Sequence, residues 1–297
     1  FSTLRGYRKE YLPKDIFSGI IIAAVSIPIS MGYAQISGIP AVYGLYGSVL
    51  PILLFALFST SRQFIFGVDA APAAIVGGAL STLGIAAESE AAMDYVPAIA
   101  LFAGLWLFIF FLLHADKIVD FISTPVMGGF ISGIAVTIIL MQIPKLMGSP
   151  AGSGELLELA GHIFAAAKTI SWLSLFMGLG ALVLIRTFKK LAPKFPMAIV
   201  IMALGVLSTV VFHVDEKGVV LLQSVERGLP SLVIPDFGNI DLTQAAGRGL
   251  MVAVVIMAET LLAENTFAFR NDYKLNDRQE ILACAAGNIA AAAVGCC

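Results

Sequence analysis

Long runs of apolar side chains are the feature that most limits how this chain folds. Several of them approach or exceed the ~20 residues that an α-helix needs to cross a hydrocarbon core of ~30 Å. The runs are 16–36, 42–59, 64–86, 96–114, 118–146, 169–186, 196–213, 246–269 and 281–297. Soluble proteins show polar alternation or amphipathic faces over such lengths, and both are largely absent here. The sequence therefore predicts an all-α polytopic membrane protein of about nine spans, with residues 16–297 as its transmembrane domain.

The distribution of basic residues predicts how the chain lies in the bilayer. Charged residues make up 13% of the 297 positions, about half the share of a typical soluble domain. With a cytoplasmic N-terminus, the cytoplasmic loops hold 13 Lys and Arg residues and the opposite loops hold 5. The positive-inside rule therefore favours a cytoplasmic N-terminus in a multi-pass protein of the cell membrane. Residues 1–15 are basic and aromatic, which predicts a cytoplasmic juxtamembrane segment.

Signatures of enzymes and of metal sites are absent from the sequence. It has no metal-type histidine pair, nucleophile elbow or phosphate-binding glycine loop, and its three histidines stand singly near the ends of runs. The cysteines, Cys284, Cys296 and Cys297, form neither a disulfide framework nor a zinc pattern. We therefore expect a protein that is not an enzyme and that uses no cofactor, metal or nucleic acid.

Three acids stand inside or at the edge of apolar runs, namely Asp69, Glu259 and Glu264. A carboxylate within the bilayer costs ~2.5–3.5 kcal/mol even on the lenient insertion scale, so each should face a cavity or the bundle interior. Glu259 has mostly apolar residues on both sides, and it is a candidate for taking and releasing protons. Glu264 follows five positions later, about 140° further round the helix. A structural hydrogen bond is the competing interpretation for Glu259 and for Glu264.

The stretch FIFGVDAAPAAIVGGAL, residues 64–80, predicts a span interrupted within the membrane. Its first five residues favour extended backbone, and a helix then begins at Asp69 or Ala70 with Pro72 in its first turn. Such a break is tolerated where it lines protein or a cavity. A helix start presents free N–H groups and the positive end of a dipole, which together favour an anion. The alternative is an ordinary span that carries a capping Asp near one end.

Several motifs resemble the sulfate permease (SulP) family of anion transporters over nearly the whole chain. Their order along the sequence matches the family's signature of span one, the start of span three and the block that begins in span eight. They are IPISMGYAQISGIPAVYGLYG at 27–47, FSTSR at 58–62, GVDAA at 67–71, AETLL at 258–262, NDRQEILA at 276–283 and GNIA at 287–290.

The resemblance implies a uracil-permease-like fold of two inverted repeats of seven spans, with short broken spans and an elevator-type movement of a core domain against a gate domain. Half-helices in spans three and ten would hold the anion between their N-termini. The positions that match the family's site are Tyr33, Asp69, Ala70 and Ala71 for the substrate and Glu259 for proton coupling. A homodimer is implied as well. The family continues with a tenth span, further spans and a STAS domain, so we expect this chain to be truncated before span ten.

Departures from the family's motifs bear on what the site would carry. Ile29, Val68 and Ala73 stand where more polar residues or a proline are usual, which makes the site less polar than in typical sulfate members. Ala263 lacks the hydroxyl of sodium-coupled bicarbonate members, which favours a proton over sodium. The resulting expectation is secondary active, proton-coupled symport of small inorganic or organic anions of the sulfate, bicarbonate or dicarboxylate class. An uncoupled anion exchanger or channel on the same scaffold and a nucleobase permease are the alternatives.

Overall fold

Helices make up the regular structure of the described chain. The computed structural model describes residues 8–119, 124–150, 156–191, 197–221, 232–233, 235–238 and 240–297. A short 3₁₀ turn, Lys9–Tyr11, precedes the first α-helix. The α-helices are α1 (Leu12–Ile36), α2 (Ala41–Gly47), α3 (Leu50–Phe58), α4 (Ala70–Thr82), α5 (Glu90–Leu112), α6 (Asp116–Val119), α7 (Thr124–Leu146), α8 (Leu156–Lys168), α9 (Trp172–Leu191), α10 (Met197–Phe212), α11 (Leu242–Arg270) and α12 (Asp277–Ala293). The all-α prediction is confirmed for these residues.

Five of the described helical stretches are long and apolar enough to cross a membrane, namely α1 with its preceding turn, α2 with α3, α5, α9 and α11. Shorter apolar helices are α4, the part of α7 from Ala135 to Leu146 and the part of α10 from Val200 to Phe212. The predicted total of nine spans stays a prediction.

The predicted run 42–59 is interrupted between α2 and α3, at Ser48 and Val49. Pro51 is the second residue of α3. Proline has no N–H to donate, so a continuous helix through this point would lose the bond to the carbonyl of Gly47. Starting a new helix just before the proline avoids that loss, because the first N–H groups of a helix have no intrahelical acceptor.

Two compact units make up the chain. The first comprises 1–12, 30–135 and 225–297, and the second comprises 13–29 and 136–224. In the second unit α9 packs against α10, and the amide of Ser171 donates to the carbonyl of Met147 at 2.9 Å. Phe176 and Val183 of α9 are 68% and 63% exposed. Apolar side chains exposed in this way fit a helix that faces lipid.

The first unit is built around α5, which lies against both α11 and α12. α12 also packs on α3, and α4 packs on α11 and α5. Ile99, Leu107, Leu261 and Ile281 are among its fully buried side chains. The indole N–H of Trp106 donates to the carbonyl of Ala246 at 3.0 Å and links α5 to α11.

Glycines let the helices of the first unit approach one another closely. A Cβ built on Gly249 of α11 would lie 2.6 Å from the Cβ of Phe102 on α5. A Cβ built on Gly77 of α4 would lie 2.1 Å from the carbonyl oxygen of Ile36, the last residue of α1. Contacts of this kind are typical of membrane helices, in which small residues bring backbones together. The contact at Gly77 holds α4 against the end of α1, and the contact at Gly249 holds α11 against α5.

A carboxylate on α12 anchors the loop that leads from α3 towards α4. The hydroxyl of Ser59 donates to Oε2 of Glu280 at 2.7 Å, and the amide of Thr60 donates to Oε1 at 2.6 Å. The hydroxyl of Thr60 donates to the same Oε1. The side-chain amide of Gln279 also donates to the carbonyl of Phe58 at 2.7 Å. These bonds hold the start of the non-helical stretch that precedes α4.

The contrast between two adjacent glycines of α4 gives a test of this packing. We expect Gly77→Ala to destabilise the protein by roughly 1–3 kcal/mol, because its Cβ would clash with backbone. Gly78→Ala is the matched control, since a Cβ there meets nothing within 4 Å and alanine favours helix by about 1 kcal/mol. Thermal unfolding in detergent should show a lower Tm for Gly77→Ala alone. Equal Tm values for the two variants would contradict the close approach.

Loss of the Glu280 carboxylate should release the loop that it anchors. We expect Glu280→Ala to lower the free energy of unfolding by roughly 3 kcal/mol or more, because the buried hydroxyl of Ser59 and the partly buried donors of Thr60 would lose their acceptor. Glu90→Ala, at an exposed acid of α5, is the control. Limited proteolysis between 58 and 70, read with the Tm, measures the effect. Unchanged protection of this loop in Glu280→Ala would refute its anchoring role.

Candidate functional site

The structure confirms the predicted helix start within residues 64–80, after a non-helical stretch. Phe64 to Asp69 have no helical structure, and α4 begins at Ala70. Asp69 is the N-cap, with extended backbone at φ −113° and ψ 156°. Pro72 is the third residue of the helix, within the first turn, where a missing N–H needs no partner.

The backbone amides at this helix start are only partly satisfied. Oδ1 of Asp69 accepts from the amide of Ala70 at 2.6 Å, and the carbonyl of Asp69 accepts from Ala73 at 3.1 Å. The amide of Ala71 has no acceptor among the described residues. The N-terminus of α4 therefore combines a free donor with the positive end of the helix dipole.

Glu259 of α11 lies beside Asp69, with the two carboxyl groups within hydrogen-bonding range. Oε2 of Glu259 is buried, and no donor among the described residues reaches it. Two ionised carboxylates both accept and neither donates, so this contact is a hydrogen bond only when one group carries a proton. The pair can therefore hold a proton next to the helix start.

Tyr33, near the end of α1, completes the cluster. Its half-buried side chain interacts electrostatically with the carboxyl of Asp69. Ala70 and Ala71 follow Asp69 directly and have no side chain beyond Cβ that would cover the helix start. The five residues predicted as site residues thus come together in the first unit, at the N-terminus of α4.

The arrangement offers hydrogen-bond donors, a partial positive charge and two neighbouring carboxyl groups in one place. These groups suit an anion and a proton more than a cation. Among the described residues, no group of three or more His, Cys, Asp or Glu side chains could hold a metal ion. The Asp69 carboxylate caps Ala70 itself, so an arriving anion competes with it.

Sequence reasoning gave no role to Glu280, whereas it expected Glu264 to face a cavity or the bundle interior. The structure puts Glu264 in a fully buried position on α11, beside Glu280 of α12 and away from Glu259. Glu280 stands in the first turn of α12, where an acid is ordinarily solvent-exposed and favoured by the dipole. Its burial depends on Ser59 and Thr60, more than 200 positions away in sequence. A single sequence carries no local signal of that contact.

Comparison with known proteins identifies the family and the fold. Residues 12–297 match the sulfate permease family. A probable sulfate transporter of Mycobacterium tuberculosis is 27% identical over 288 residues, which cover 97% of this chain and 51% of the relative. Sulfate transporter 4.1 of Arabidopsis thaliana, a chloroplastic protein, is 30% identical over 302 residues, covering 97% of this chain and 43% of the relative. The chain thus spans about half the length of these curated relatives, which are named as transporters and not as enzymes.

Two solved structures share the fold. The transmembrane domain of the bicarbonate transporter BicA of a cyanobacterium superimposes with a TM-score of 0.83 at 19% identity, covering 98% of this chain and 74% of that chain. Murine Solute Carrier 26 family member A9, an anion transporter in the inward-facing state, gives 0.86 at 18% identity, covering 99% and 52%. The expected transporter fold is therefore confirmed. From the match over residues 12–297, the chain belongs to the sulfate permease family.

Proposed function

We propose that this chain provides the α4 part of the anion site of a secondary active transporter for small inorganic or organic anions, of the sulfate, bicarbonate or dicarboxylate class. Transport would be coupled to proton symport, and an elevator-type movement would carry the site across the membrane. The observation that carries the proposal is the helix start at Ala70. Its N-cap residue, Asp69, interacts with both Tyr33 and Glu259. Family membership and the names of the relatives support anion transport.

Anion binding follows from the donors at this helix start. In the proposed bound state the amides of Ala70 and Ala71 donate to the anion, and the hydroxyl of Tyr33 adds a third donor. Asp69 must first release the amide of Ala70, since an amide N–H cannot serve two strong acceptors well. The helix dipole adds a sequence-independent attraction for negative charge.

Proton coupling follows from the two neighbouring carboxyl groups. An anion that approaches Asp69 and Glu259 meets like charges, and a proton bound by the pair removes one of them. Anion and proton therefore favour each other's binding, which is a positive coupling between two sites. Release of the proton on the opposite side of the membrane lowers the affinity of the site for the anion. In this scheme Glu259 is the proton-coupling residue.

The remaining expectations belong to the same proposal. Residues 1–15 form a cytoplasmic juxtamembrane segment, and residues 16–297 form the transport domain. The protein lies in the cell membrane with a cytoplasmic N-terminus, which the excess of basic residues in the cytoplasmic loops supports. Two copies associate as a homodimer.

Uptake measured with and without a pH gradient tests the coupling. Proteoliposomes that contain the whole transporter, including the span-ten half of the site, should take up labelled sulfate, bicarbonate or dicarboxylate several-fold faster when the outside is more acidic than the inside, and replacing sodium should have no effect. Glu259→Gln should remove the response to the gradient while exchange of internal for external anion persists.

Three outcomes would contradict parts of this scheme. Uptake that ignores the gradient in the unsubstituted protein favours an uncoupled exchanger or channel. A gradient response that Glu259→Gln leaves intact shows that another residue carries the proton. Competition by uracil or xanthine, with none by small oxyanions, favours a nucleobase permease.

A larger side chain at Ala70, which would shield the first amides of α4, tests their role in anion binding. Ala70→Leu should weaken anion binding by about tenfold or more, equivalent to ~1.4 kcal/mol, because the larger side chain shields the helix start. Binding is measured as the stabilisation of the protein against heat by added anion. Gly78→Ala, further along the same helix, should bind as the unsubstituted protein does. Equal affinity of Ala70→Leu and Gly78→Ala would exclude this helix start as the site.

A further inference from the structure

A second acid pair lies between α11 and α12, outside the anion site. Glu264 and Glu280 are both 0% exposed, and their carboxyl groups face each other within hydrogen-bonding range. The two groups differ in their surroundings. Glu280 accepts from Ser59 and from both the amide and the hydroxyl of Thr60. Neither oxygen of Glu264 has a partner that donates to it among the described residues.

The groups that face Glu264 provide no positive charge. From α12 these are the carboxyl groups of Glu280 and Asp277 and the thiol of Cys284. Thr260, one turn earlier on α11, contacts the same thiol. Arg278 is the basic residue in this turn of α12, but its Nε donates to a backbone carbonyl at the end of α5 at 3.2 Å. Its guanidinium also lies over a phenylalanine ring of that helix, 4.6 Å from the centroid.

An ionised Glu264 is incompatible with these surroundings. A buried anion without hydrogen bonds or a cation costs several kcal/mol, and here it would also face two other acids. A protonated carboxyl has an O–H to donate, and a carboxylate has about four lone-pair sites. Three donors already reach Glu280, which leaves one site for the O–H of Glu264.

We propose that Glu264 is a second proton-binding site, in which its protonated carboxyl donates to the carboxylate of Glu280 and closes the contact between α11 and α12. The proposal does not depend on the transport activity proposed above, because it concerns a different pair of residues. It also links proton occupancy to the anion site. Loss of the proton would place two anions side by side and weaken the Glu280 anchor on Ser59 and Thr60, the residues at the start of the stretch that leads to α4.

Infrared spectroscopy tests the proton directly, since a protonated carboxyl has a carbonyl stretch separate from that of carboxylates. The protein in lipid nanodiscs at neutral pH should show such a band, and Glu264→Gln should lose it. Glu90→Gln, at an exposed acid of α5, should retain it. Glu259→Gln should also retain the Glu264 band, which separates this proposal from the proton-coupling role of Glu259.

Stability provides a second readout. The side-chain amide introduced by Glu264→Gln still donates to Glu280 and releases no proton, so this variant should fold with a similar Tm. Its Tm should fall less than that of the unsubstituted protein as the pH rises above neutral, because a proton bound only in the folded state contributes stability that rising pH removes. The Tm of Glu90→Gln should follow the unsubstituted protein.

Two results would overturn the proposal. One is an infrared spectrum of folded Glu264→Gln that matches the unsubstituted protein in the protonated-carboxyl region. The other is failure of Glu264→Gln to fold while Glu90→Gln folds, because an amide replaces a protonated acid but does not replace an anion.

Discussion

Backbone amides that lack an acceptor inside a membrane protein are the constraint on which this structure depends. A helix that crosses the bilayer without interruption satisfies its own N–H groups, whereas a helix that starts within the protein leaves several of them bare. α4 starts in this way at Ala70, after a non-helical stretch. Protein groups, water or a ligand must meet the unused donors. The Asp69 side chain accepts from the first of these amides, and no described residue accepts from the amide of Ala71.

The position of that helix start results from contacts at both of its sides. Glu280 holds the loop that follows α3, and Gly77 lets α4 lie directly on the carbonyl end of α1. α11 then brings Glu259 to Asp69. The site is therefore defined by four helices from distant parts of the chain, and each contact between them is short and specific. A methyl group added at Gly77 would meet the carbonyl end of α1, the helix that carries Tyr33.

Sequence reasoning succeeded where the signal was local. The length of the apolar runs predicted helices, and Asp69 with Pro72 predicted where α4 begins, because an N-cap residue and an early proline act through neighbouring backbone. The interruption between α2 and α3 also has a local cause, Pro51. It was not predicted, because residues 42–59 form one apolar run in the sequence. Contacts between helices had no such signal. The approach of Glu259 to Asp69 came from the family resemblance, and the burial of Glu280 against Thr60 was not predicted, because it depends on tertiary packing.

The capping carboxylate of Asp69 has a consequence for selectivity. It is a ligand tethered to the same chain as the amide it covers, and even a flexible tether gives an effective concentration of about millimolar order. An anion that binds there replaces the Asp69 carboxylate as the acceptor for the amide of Ala70. One negative group takes the place of another, so the electrostatic potential at the helix start changes little. Solutes that are poorer acceptors than a carboxylate displace it only when their concentration exceeds this effective concentration. In the proposed bound state, the Asp69 side chain therefore sets a minimum affinity that an anion needs in order to reach the first amide of α4.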